Sequence, residues 1–130
     1  MENQAVRGRS TGKVASAVSV RQVTTTLGRH GLSVRGYDIE HVRVLPGPRG
    51  QPAFGASPHD GGGRPLLGSR RRPLIQLSDL ALTDRRTAII TIFHEIAHHR
   101  SFLAAGHGGS EYEAERFGER MYHRFARRLA

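Results

Sequence analysis

His94-Glu95-Ile96-Ala97-His98 is the stretch of this chain whose residue types and spacing could carry chemistry. Side chains four apart on a helix share one face, with Cβ atoms about 5–6 Å apart. Two imidazoles so placed can point at a single ion, and zinc takes such nitrogens at about 2.0–2.1 Å. Glu95 lies one residue along, about 100° round the helix. From there its carboxylate reaches a water on the metal more easily than the metal itself. Two ligands and a base held against an activated water are what metal-assisted hydrolysis requires.

Two imidazoles alone hold zinc weakly, so a third protein ligand should follow. His99, His107, Glu111, Glu113 and Glu115 are the candidates downstream. His99 points about 100° away from His98 and is poorly placed. Glu111 and Glu115 stand one turn apart on the last helix, so both can face the histidine pair. One can bind the ion while the other accepts an N–H from a liganding imidazole. Glu113 falls three residues after Ser110, the capping-box spacing, which gives it a structural task. The reading is therefore His94, His98 and Glu111 as ligands, Glu95 as general base and Glu115 behind the ligands. Glu113 is the next choice for the third ligand and His107 the one after.

These side chains need helices to hold them. Thr83 or Asp84 caps a long helix whose apolar stripe is Ala88, Ile89, Ile92, Phe93, Ile96 and Ala97, running to about Leu103. Gly106-His107-Gly108-Gly109 breaks it. Ser110 then caps a last helix with Ala114, Phe117, Met121 and Phe125 at three- or four-residue steps. Upstream, Val20, Val23 and Leu27 predict a helix from Ala17 to about Arg29, stopped by Gly31. Tyr37 to Leu45 alternates apolar and polar residues, a half-buried strand ended by Pro46. Gln51 to Ser57 offers a short edge strand, and Pro73 to Ser78 a further strand entered through proline. Residues 1–16 are small and polar and read as a disordered lead-in. Residues 17–130 form one small α+β domain, with a short mixed sheet packed on the active-site helix and the C-terminal helix.

His94-Glu95-Ile96-Ala97-His98 followed by Glu111-Tyr112-Glu113-Ala114-Glu115-Arg116-Phe117-Gly118 resembles the glutamate-liganded zincin metallopeptidases. The similarity is closest to the soluble cores of the HtpX and CAAX-protease type, in which a Glu-x-x-Ala-Asp segment supplies ligand and supporting carboxylate. Ala53-Phe54-Gly55-Ala56 resembles the edge strand of that family, and Pro73 to Ser78 the strand before its active-site helix. Glu115 stands where the family has Asp. Compact ImmA/IrrE-like peptidases and metallopeptidase toxin domains are similarly minimal.

The resemblance implies zinc on His94, His98 and Glu111, with Glu95 passing a proton from water to the departing amine. It also implies a protein or peptide substrate, added as a strand along Ala53 to Ser57. An inhibitor, immunity or regulator protein is a further partner that the toxin-like form suggests. His107, Tyr112, Tyr122 and His123 are candidates for the donor that steadies the oxyanion.

Composition sets the bounds. The chain has 130 residues and no cysteine, which excludes disulfide frameworks, thiolate nucleophiles and cysteine-ligated metal. No apolar run approaches the roughly 20 residues of a membrane span, and Met1 to Arg7 lacks a signal-peptide pattern. The expectation is a cytoplasmic protein with no membrane partner, or a toxin domain delivered by other means. Twenty basic against 11 acidic residues leave +9, nearly all of it arginine. That charge supports a competing reading as a basic nucleic-acid-binding module. A zinc-binding interaction module without turnover is the other alternative.

Overall fold

The computed structural model describes residues 16–129. The expected lead-in over 1–16 lies outside the described residues except for Ser16, whose hydroxyl donates to Asp79 Oδ1 at 3.3 Å.

Helix α1 spans Val20–Arg29, three residues later than the alternation of Ala17 onward suggested. Ser19 sets that start. Its hydroxyl accepts the Gln22 N–H at 3.0 Å, and its own N–H donates to the Gln22 side-chain oxygen at 2.8 Å. This reciprocal pair satisfies two donors that helix geometry leaves open. Val23 and Leu27 are buried on the inner face, and Gly31 leaves the helix at φ +77, a conformation that favours glycine.

The sheet is mixed. Strand β1 (Asp38–His41) runs parallel to β3 (Leu74–Leu77), and β2 (Gly55–Ala56) pairs antiparallel on the other side of β3. The order β1-β3-β2 makes the short β2 an edge. The strand expected over residues 37–45 is four residues long; beyond it the Val42 N–H still donates to the Leu77 carbonyl at 2.9 Å and the Asp79 N–H to the Arg43 carbonyl at 3.2 Å, but the regular ladder stops. Asp38, which alternation alone would turn outward, is buried, and its Oδ2 accepts the N–H groups of Arg70 and Arg72 at 2.8 and 3.1 Å. It thereby caps the arginine turn before β3.

Helix α2 (Arg85–Ala105) follows β3 through a 3-10 turn at Ala81–Thr83. Asp84, not Thr83, is its N-cap: the Thr87 N–H donates to Asp84 Oδ1 at 2.7 Å. That bond holds the Asp84 carboxyl below its usual range. The cap's contribution is therefore complete above the unfolded value of 3.8 and fades as pH falls through the lower folded value. Asp84→Ala is expected to lower stability by about 1 kcal/mol at neutral pH. In urea titrations taken toward about pH 2, the gap between the two proteins should close.

Residues 88–93 of α2 are buried without interruption, so the helix is surrounded by core rather than laid on it. It ends at Gly106, φ +78, and α3 (Glu111–Leu129) returns along it. Gly118 lets the two helices close: a Cβ there would stand 2.6 Å from the Ile90 carbonyl oxygen. Phe125, Leu27, Ile75, Leu77, Leu82, Ile89 and Ile92 are fully enclosed between the sheet and the three helices. Among the described residues, no helix is long and apolar enough to cross a membrane.

Candidate metal centre

The i, i+4 spacing puts His94 and His98 on one face of α2, and the antiparallel return of α3 sets Glu111 and Glu115 opposite. His94 Nε2 lies 2.9 Å from Glu111 Oε1, His98 Nε2 lies 2.8 Å from Glu111 Oε2, and the two Nε2 atoms are 3.1 Å apart. Tetrahedral donors about 2.0–2.1 Å from one zinc stand about 3.3 Å from each other. An outward shift of a few tenths of an ångström therefore opens room for the ion. His94, His98 and Glu111 are the residues among those described whose donor atoms gather in this way, all within 4.8 Å.

The remaining ring nitrogens fix the tautomers. His98 Nδ1 is 2.6 Å from the Gly108 carbonyl oxygen, which only accepts, so Nδ1 carries the hydrogen. His94 Nδ1 is 2.9 Å from Glu115 Oε1, again an acceptor. In the neutral rings both Nε2 atoms consequently present lone pairs to one another and to the Glu111 carboxylate. Three acceptors converge with no hydrogen among them to share. A cation resolves that arrangement, and two imidazoles plus a carboxylate, each imidazole backed by an outer acceptor, suit zinc with one position left for water.

Glu95 lies beside this cluster and is only 7% exposed. Burial pushes its carboxyl above the usual carboxylate range, and the Glu111 charge adds to the rise. The neighbouring His94 and His98 rings and the polar Ser57 side chain act in the other direction. Gly55 brings the edge strand close: a Cβ there would meet Thr91 Cγ2 at 2.7 Å and Glu95 Cγ at 3.1 Å. Strand β2 thus lies against the general-base candidate because it carries no side chain at this point.

The other downstream candidates are not drawn in. Glu113 is exposed; its backbone N–H donates to Ser110 Oγ at 3.0 Å, while its carboxylate does not return a bond to the Ser110 N–H, so only half of the capping box its spacing implied is formed. His107 is exposed and accepts the Gly109 N–H at 3.1 Å. His99 is buried on another face, edge-on to Tyr37 and stacked on His59. Its burial lowers its tendency to take a proton.

A groove of about 490 Å³ opens from the cluster between β2, α2 and α3. None of His107, Tyr112, Tyr122 and His123, the expected oxyanion donors, is among its lining residues. Tyr112 projects to solvent and accepts a hydrogen bond from Arg116 instead, whereas Tyr122 packs on the core.

One partner escaped sequence reasoning: the Gly108 carbonyl that orients His98 is a backbone group with no residue signature. No known protein family, curated protein or solved structure matches the chain.

Proposed function

We propose that this chain is a zinc-dependent metallopeptidase in which His94, His98 and Glu111 hold the ion and Glu95 is the general base. The observation that carries the reading is the convergence of two imidazole nitrogens and both oxygens of one carboxylate at 2.8–3.1 Å beside a buried carboxylate on an open groove. Zinc bound there would supply a water acidified toward a pKa of about 7 and a polarised scissile carbonyl.

The chain's own residues do the rest. Glu95 sits one residue round α2 from the liganding face and accepts the proton of the attacking water. It then delivers that proton to the leaving amine. Burial raises the proton affinity of Glu95 and so suits it to hold the proton between the two events. Glu115 and the Gly108 carbonyl keep both imidazoles in the liganding tautomer. An extended peptide adds to the outer edge of β2 through main-chain hydrogen bonds, which position the backbone and read little sequence.

Elemental analysis of the purified protein should find about one zinc per chain. A chelator should remove it together with cleavage of an unfolded protein such as reduced casein, and added zinc should restore both. Metal-free protein that is indifferent to chelator would overturn the reading.

A further inference from the structure

The groove that leaves the metal cluster has two unlike ends. At one stand His94, Glu95, Glu111 and Glu115; at the other stands Arg86, the sole arginine or lysine among its lining residues. Arg86 precedes His94 by eight residues on α2, about 12 Å at 1.5 Å per residue. Its guanidinium carbon lies 5.4 Å from the centre of the Tyr122 ring on α3. That stacking holds the planar group while leaving its edge N–H donors free to grip a carboxylate in two places. Among the described residues no carboxylate lies within ion-pairing distance of Arg86. Between the two ends the wall is apolar: Phe54 is 48% exposed on the edge strand, with Ala53 and Ile90 beside it.

Direction follows from the strand. Gly55 approaches Thr91 and Glu95, and His59 stacks on Phe102, so the chain from β2 onward runs the same way as α2. A peptide pairing antiparallel with β2, the more stable mode per residue, runs its C-terminal side toward Arg86. An extended chain advances about 3.3 Å per residue, so Arg86 faces the third or fourth residue after the cut.

Resting on the metallopeptidase reading, we propose that Arg86 is the specificity-determining residue of this groove and selects substrates carrying a carboxylate three to four residues C-terminal to the scissile bond. That carboxylate is an Asp or Glu side chain or the free C-terminus of a short peptide.

The test is cleavage of a mixed peptide library by the zinc-loaded full chain, with products sequenced by mass spectrometry. Asp and Glu should be enriched at the third or fourth position after the cut. Changing that residue to Gln in one good substrate should lower kcat/KM by about tenfold or more, mostly through KM. Arg86→Gln should remove the preference, and Arg86→Glu should replace it with Lys or Arg.

A parallel pair of peptides ending at that position, one a free acid and one an amide, separates the two sources of carboxylate. Discrimination only between acid and amide assigns the site to C-termini; discrimination only between Glu and Gln assigns it to side chains. Cleavage with no acidic preference, or a preference unmoved in Arg86→Gln, overturns the proposal and leaves the peptidase reading standing. Zinc-loaded protein that cleaves nothing in the library overturns both.

Discussion

Glu95→Gln is expected to lower peptide cleavage by about a thousandfold, within the range assigned to a positioned acid or base, while zinc content and fold persist. The amide has the same shape, but it takes no proton from water. Stability should not fall. The carboxyl of Glu95 is held above its usual range chiefly because burial disfavours its charge, so a neutral isostere removes a cost rather than a support. Steady-state rates on one peptide, elemental analysis and a thermal melt on the same samples check all three parts. Equal rates for native protein and variant would remove Glu95 from the reaction. If both bind zinc and neither cleaves any substrate, the protein is a zinc-binding interaction module.

The second large effect falls on α3. Glu111→Ala should weaken zinc by more than the about 10–100-fold that loss of an outer carboxylate costs. Glu115→Ala should fall within that range, and Glu113→Ala should leave affinity unchanged. The order follows from geometry. Glu111 places both carboxylate oxygens on the histidine Nε2 atoms, Glu115 reaches only the far nitrogen of His94, and Glu113 faces away. Competition with a zinc-binding dye measures the three constants side by side. A loss in Glu113→Ala equal to that in Glu111→Ala would reassign the ligand.

How much of this was readable from the residues differs by element. Helix α2 announces itself through Ala88, Ile89, Ile92, Phe93 and Ile96, and the acidic start of α3 through Ser110 and the glutamates after it. The site residues most clearly legible are those set by i, i+4 spacing, since helix geometry alone brings them to one face. Strand limits are less legible because a strand ends where its partner ends. Past His41 the ladder gives way to single backbone bonds, Val42 N–H to Leu77 and Asp79 N–H to Arg43, a change the alternation does not mark. Asp38 illustrates a different loss: a charged residue in an alternating pattern reads as outward-facing, and only the return of the chain at Arg70 and Arg72 gives it a buried role. The oxyanion candidates rest on residue type alone, since sequence names the residues of a helix but not the side on which its neighbour sits.

The edge strand has a consequence for how the protein behaves in concentrated solution. A free β-edge beside a half-exposed Phe54 is a template for a second copy of the same chain as much as for a peptide. Two features hold copies apart: the edge is only two residues long, and each molecule carries a formal +9. The second protection is electrostatic. It reaches about 10 Å at 0.1 M salt and about 3 Å at 1 M. Strong brine therefore strips the mutual repulsion and leaves the brevity of β2 as the barrier to self-association, so dilute buffer is the gentler medium for keeping this molecule monodisperse.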